Sequence, residues 1–305
     1  MQQGSRGQDH TLIQLRRFRT EQGNVVAVRE RLVVDADGTD EPPFQLSFLG
    51  VDGELPGSPA FQKWQRTYQR FGDLLYQYGS FRVYNSVKAQ GNYTLHQFGT
   101  LVRINRTVFR VVVFPNTLDK ATWVIDVDAQ TSIPLYRAEF DSQMRLLVEV
   151  EAVSFALSVP APVSTPDSLQ VTVHPSFAAA TTFLGSAAGL IDPNIGVASD
   201  YEISRIEVRE DPLNGQQKLV MTYTDGLDVF LVVQTPGTTD VFAGLLGPKK
   251  TSLGLGNTIA RYRDPAMSVL LFWEGGVSFH VAGRGSLHRL DEVARLLFLQ
   301  ALSTN

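Results

Sequence analysis

Residues 107–140 read TVFRVVVFPNTLDKATWVIDVDAQTSIPLYRAEF. From Phe109 to Phe114 nearly every side chain is β-branched or aromatic, the types that fit a pleated, half-buried surface, and Pro115-Asn116 ends the run. Trp123 to Asp128 forms a second such run, and Ala129 to Ser132 supplies a polar turn after it. Ile133 to Phe140 then alternates apolar and polar residues. Alternation with a period of two puts one face on a core and leaves the other wet. Three strands with short turns make an antiparallel meander.

The chain on either side continues it. Thr11 to Gln22 alternates (Leu12, Ile13, Leu15 and Phe18 among Arg16, Arg17 and Arg19), Gly23-Asn24 is a turn, and Val25 to Val34 returns. After the turn at Asp35 to Gly38, Phe44 to Val51 is a third strand, followed by the breakers Gly53, Pro56 and Gly57. Tyr93 to Phe98 and Leu101 to Ile104 read as two strands divided by Gly99-Thr100, and a long strand covers Met144 to Leu157.

One helix interrupts these strands. Ser58 suits the N-cap and Pro59 the first helical position, where its missing N–H is not needed. Phe61, Trp64, Tyr68, Phe71, Leu74, Leu75 and Tyr78 recur at spacings of three and four, so they share one face. Gly79 fits the stop. This aromatic stripe is either the helix's core contact with the sheet or, in part, the lining of an apolar cavity.

Pro160, Pro162 and Pro166 among Ser and Thr predict a stiff, extended linker over residues 158–172, which divides a domain at 10–157 from a smaller α+β domain at 173–305. In the latter, Ala178 to Leu190 is a short helix or a packing loop. Strands follow at 203–208, 218–223, 227–234, 258–262, 267–273 and 277–281, and Thr235 to Gly256 reads as a loop. A terminal helix opens at Gly285-Ser286 with Leu287, Leu290, Val293, Leu297 and Ala301 on one face.

The composition excludes several function classes. With 305 residues, 43% hydrophobic and 19% charged, the chain is an ordinary globular protein of two-domain size. A net charge of −4 is not that of a dedicated nucleic-acid binder. The absence of cysteine removes thiol catalysis, disulfides and cysteine–zinc sites together. No apolar run approaches the roughly 20 residues needed to span a bilayer. The N-terminal MQQGSRGQDH lacks the basic-then-apolar order of an export signal, so either the protein is cytoplasmic or the sequence begins where a removed segment ended.

No catalytic constellation emerges. The five histidines (His10, His96, His174, His280 and His288) show no metal-ligand spacing. Gly247 to Ser252 has Pro248 where a phosphate loop needs an amide donor, and in Gly185-Ser-Ala-Ala-Gly189 the serine stands one position too early for a nucleophile elbow. Asp126 and Asp128 share a strand face beside a turn, which a solvated strand end explains as well as a cation site does. No catalytic residue, metal ligand or cofactor is expected.

The order Phe109 to Pro115, Trp123 to Asp126, Thr131-Ser-Ile-Pro-Leu135, Phe140-Asp141 and the strand Leu146 to Phe155 resembles the LolA/LolB lipoprotein carriers, and more closely their relative RseB/MucB. In that family the turn reads Thr-Gly-Leu-Pro and the strand after it closes on Asp-Gly, where this chain has Ser132-Ile133 in place of Gly-Leu and Ser142 after Asp141. In the second half Tyr223-Thr-Asp-Gly-Leu227 is similar to the family's Tyr-Ser-Asp-Gly-Leu, and Gly276 to Gly283 followed by a helix resembles its closing elements. A helix like the one ahead of the first LolA strand is not legible before Thr11.

The resemblance implies an α+β fold: a large antiparallel half-barrel with an apolar concave face partly covered by helix, then a smaller domain. It implies a non-enzymatic, periplasmic or extracytoplasmic regulator that binds the extracytoplasmic part of a membrane-anchored anti-sigma factor and senses a hydrophobic ligand. The alternative is a carrier of lipid or lipoprotein acyl chains. For the cavity, Trp64, Tyr68, Phe71, Leu75, Trp123 and Tyr136 are the expected lining.

Overall fold

The computed structural model describes residues 8–19, 24–36, 44–79, 81–117, 120–158, 171–185, 189–192, 201–210, 215–237, 249–252, 258–264, 267–283 and 287–304, of which 70–79, 249–252, 258–264, 267, 287–289 and 303–304 in backbone only. The readings placed on Pro160, Pro162, Pro166, Gly247, Pro248 and Ser286 lie outside the described residues.

The chain divides into two compact units: Met1–Val83 with Asn92–Pro166, and Tyr84–Gly91 with Asp167–Asn305. The first holds β1 (His10–Arg19), β2 (Val25–Val34), β3 (Phe44–Val51), α1 (Pro59–Gly79), β4 (Tyr93–Arg103), β5 (Arg106–Pro115), β6 (Thr122–Asp128), β7 (Pro134–Phe140) and β8 (Leu146–Ala156). Its strands form one eight-stranded sheet in the order β3-β2-β1-β8-β7-β6-β5-β4. Each pairing is antiparallel. The two meanders therefore join where β1 pairs with β8. Alternation sets the faces: along β1, His10, Leu12, Gln14, Arg16 and Phe18 are buried while Thr11, Ile13, Leu15 and Arg17 are half-exposed.

Within this sheet one strand differs from expectation. Residues 93–103 form a single strand, β4, whose pairing with β5 shifts between Gln97 and Thr100. Gly99 there has φ +94, so the glycine marks a bulge and not a turn. The β4–β5 turn is made by two residues, Ile104 at φ 42 and Asn105 at φ 61. Positive φ is costly for a β-branched residue. Ile104 offsets it by packing against the cluster of Leu12, Leu32, Val34, Val108, Ile133 and Leu135.

The second unit contains the short helix α2 (Ser86–Asn92), whose last residue returns to the first unit, then β9 (Val171–His174) and α3 (Phe177–Phe183). It continues through β10 (Glu202–Glu210), β11 (Gln217–Thr224), β12 (Val229–Pro236), β13 (Lys249–Ser252), β14 (Thr258–Asp264), β15 (Met267–Glu274), β16 (Val277–Gly283) and α4 (Leu287–Thr304). Its sheet also has eight strands, ordered β13-β14-β15-β16-β12-β11-β10-β9. Leu290, Val293, Ala294, Leu297, Phe298 and Ala301 bury one face of α4 in the core, where Phe298 meets Phe272 edge-on at 5.8 Å. β13 occupies part of the stretch expected to be loop, and α2 and β9 are elements that periodicity did not mark.

Candidate site under the aromatic helix

α1 lies where its stripe meets β1, β2 and β3. The Ser58 hydroxyl accepts from the Phe61 N–H at 3.2 Å, as an N-cap should. Trp64 stacks on Phe18 with centroids 5.2 Å apart, and Phe48 takes Phe61 edge-on at 5.0 Å and Tyr68 at 5.5 Å. Trp64 is 6% and Tyr68 5% exposed, so both are covered. The side chains of Phe71 and Leu75 lie outside the described residues.

Trp123 belongs to the same face. Phe18 pairs in register with Val148, Val148 with Glu139, and Glu139 with Trp123, and residues paired in register share a face. Trp123 is buried and meets Phe81 edge-on at 5.4 Å. Tyr136 lies on the opposite face, since it pairs with Glu151 and Glu151 pairs with Leu15. There its hydroxyl donates to Glu149 at 2.8 Å, and the Arg103 guanidinium sits 4.1 Å from its ring centroid. An ionic ladder surrounds it. Arg17 donates to Glu149 and Glu151, Arg103 to Glu151 and Asp126, and Arg110 to Asp126. The structure thus gathers Trp64, Tyr68 and Trp123 on one face and leaves Tyr136 among charges.

A buried polar group under α1 escaped the sequence reading. Arg16 and Glu30 are fully buried and paired, with Arg16 Nη2 2.8 Å from Glu30 Oε1. Gln14 Nε2 donates to the same carboxylate at 2.5 Å, and the Tyr68 hydroxyl donates to its other oxygen. Burial is the largest influence on Glu30 and would raise its pKa. The Arg16 charge and the donors around it outweigh burial and hold it below the usual range. The Tyr68 hydroxyl is pushed well up, by burial first and then by the Glu30 charge. The alternation of β1 could have shown that Arg16 shares the Phe18 face. Nothing local shows that Glu30 and Tyr68 would meet it there.

The turn after β6 is held by Asp128. Its Oδ1 accepts from the Gln130 and Thr131 N–H groups at 3.0 and 2.8 Å, and Arg106 Nε donates to Oδ2 at 2.5 Å. Burial pushes this carboxyl up, but Arg106 and the turn's donors outweigh it and hold it down at about 2. Asp126 and Asp128 therefore serve guanidinium groups and a turn. Among the described residues no group of three or more His, Asp or Glu side chains is placed to hold a metal ion, and no helix is long and apolar enough to cross a membrane.

No family model and no curated protein matches the sequence. Solved structures do. A crystal structure of MucB aligns over 96% of this chain and 92% of its own, with 13% identity and a TM-score of 0.52. The fold is that of MucB. Two structures of MucB with MucA, one from Pseudomonas aeruginosa and one with MucA(peri), align over 96% of this chain and 94% and 93% of theirs, at 14% identity and a TM-score of 0.46. The MucB-type fold here is α+β, with two large antiparallel sheets and few helices.

Proposed function

We propose that this chain is a non-enzymatic binding protein of the cell envelope, acting outside the cytoplasm as a regulator. Its partner is the extracytoplasmic segment of a membrane-anchored anti-sigma factor, and it senses a hydrophobic ligand held between α1 and its sheet. The observation that carries the reading is the MucB fold along 96% of the chain, in a sequence whose motifs resemble that family in both halves. The aromatic contact between α1 and the sheet, with Trp64, Tyr68 and Trp123 on one face, supports a site for an acyl chain. Phe71 and Leu75 follow Trp64 and Tyr68 at helical spacing and extend the proposed lining. MucB itself has been solved with MucA, and we carry to this chain only the class of partner.

The partner is tested by pull-down from solubilised envelope. We expect recovery of a single-span protein whose cytoplasmic domain binds a sigma factor. Recovery of no such protein, with unchanged sigma-dependent transcription on deletion, would sink the regulatory reading. The ligand is tested by native mass spectrometry with added palmitate. A one-to-one adduct is expected, and none at saturating palmitate would sink the sensing reading. Palmitate binding without any anti-sigma partner would favour an acyl-chain carrier.

A further inference from the structure

The strands β1 and β2 together hold five arginines and a single carboxylate. Alternation sends Arg16 and Glu30 to the face that α1 covers, where they pair. Arg17, Arg19, Arg29 and Arg31 go to the opposite face, in register with Ala27, Val25, Leu15 and Ile13. The two strands therefore turn their carboxylate away from four of their arginines.

Arg17 finds acid on that face, in Glu149 and Glu151 of β8, and the rest of the ladder is matched by Arg103 and Arg110. The other three arginines of the ribbon stand outside it. Arg19 and Arg29 are exposed and Arg31 is half-exposed, and among the described residues no carboxylate pairs with any of them. By the rise of a strand, Arg31 lies about 7 Å from Arg29, and Arg19 about 13 Å from it in the other direction. Val25, opposite Arg19, is exposed, and so is Leu49, in the β3 bulge beside Arg29. Ile13, Leu15 and Ala27 are half-exposed between the arginines.

Guanidinium groups spread over two strands, with aliphatic side chains among them, fit a plane of anions better than a line. An extended acidic peptide would follow one strand, whereas phospholipid head groups meet both strands at once and admit the aliphatic side chains between them. The chain's net charge of −4 gives no general attraction to such a surface, so the attraction has to come from this face. We propose that the open face of β1 and β2 docks on a bilayer containing anionic phospholipid, with Arg19, Arg29 and Arg31 on head-group phosphates and Val25 and Leu49 at the head-group level. This is the reverse of the face under α1. The docking goes beyond the function proposed above and needs neither palmitate nor an anti-sigma partner.

Flotation of the full chain with vesicles tests it, using phosphatidylcholine alone and phosphatidylcholine mixed with phosphatidylglycerol. We expect binding to the mixed vesicles only, lost as salt approaches about 1 M, where screening shortens to about 3 Å. A basic residue near an anionic surface strengthens partitioning by about fivefold. Arg29→Gln should thus weaken binding by about fivefold, and the triple change Arg19→Gln, Arg29→Gln and Arg31→Gln by about a hundredfold. Arg66→Gln makes the same charge change at an exposed position on α1 and should float like the wild type. No flotation with phosphatidylglycerol would overturn the proposal. So would an equal loss in Arg66→Gln, which would make net charge the cause. Binding to poly-glutamate with the same arginine dependence, without flotation, would give the face to an acidic polypeptide and overturn the membrane assignment. The single variants carry the test if the triple variant is unstable in urea, and the palmitate adduct, read separately, keeps this outcome apart from that of the α1 site.

Discussion

At the scale of single residues, the turn from Asp128 to Ile133 shows how one side chain organises a hairpin. Asp128 accepts from two backbone amides, the Thr131 hydroxyl and Arg106. Its carboxyl is lowered from 3.8 to about 2 in the folded chain, so the carboxylate's contribution to stability is complete above the unfolded value and is lost as pH falls from about 4 to 2. Asp128→Asn should therefore destabilise the protein at pH 7 and cost progressively less as pH approaches 2. Urea unfolding of both proteins at several pH values checks this, and a pH-independent difference would refute it. Ser132 is at φ +59, where the resembling family carries glycine. An L residue pays about 1–2 kcal/mol in this region, and glycine loses about 0.5–1 kcal/mol through the freedom of the unfolded chain. Ser132→Gly should thus raise stability by about 0.5–1 kcal/mol, read as a higher urea midpoint. The departure from the family's glycine was legible in the sequence. That it falls on a left-handed residue was not, because φ depends on how the two strands meet.

Among the elements, α1 matters most. Its cap, its proline and its aromatic spacing were all legible, since each is a local feature of helix chemistry. What it covers was not. The stripe reads as apolar, yet Tyr68 reaches a buried Arg16–Glu30 pair supplied by two strands. Because Trp64 is buried against Phe18, Trp64→Ala should cost about 3–5 kcal/mol in chemical denaturation, as large-to-small core changes do. A smaller loss accompanied by weaker palmitate binding would place Trp64 in the ligand site instead of the core. β4 carries the opposite lesson. Gly99-Thr100 looked like a turn because glycine favours both turns and bulges, and only the resumption of pairing with β5 at Thr100, after the shift, separates the two. β9 is a strand of four residues, and the described helix α2 is seven residues long. Elements that short carry too few periods to stand out from their surroundings.

For the whole molecule, a ligand that binds only the folded chain stabilises it by mass action, by about 2.7 kcal/mol at a free concentration 100 times its dissociation constant. If the α1 site takes an acyl chain, the melting temperature should rise with palmitate concentration in calorimetry, and a concentration-independent melting temperature would exclude such a site. The sequence by itself determined the strands of the central meander, the long helix, the antiparallel α+β class and the resemblance to RseB/MucB. These follow from side-chain period, turn residues and helix caps, which act over a few neighbours. Only the tertiary structure decided which face each strand turns to the core, that Tyr136 sits among charges while Trp123 shares a face with Phe18, and that residues 84–91 join the second unit. Those outcomes depend on strand order and register, which bring Phe18 of β1 onto one face with Val148, Glu139 and Trp123 of β8, β7 and β6, far along the chain from it. The stretch at 107–140 announces three strands, and its partners across the sheet settle what those strands hold.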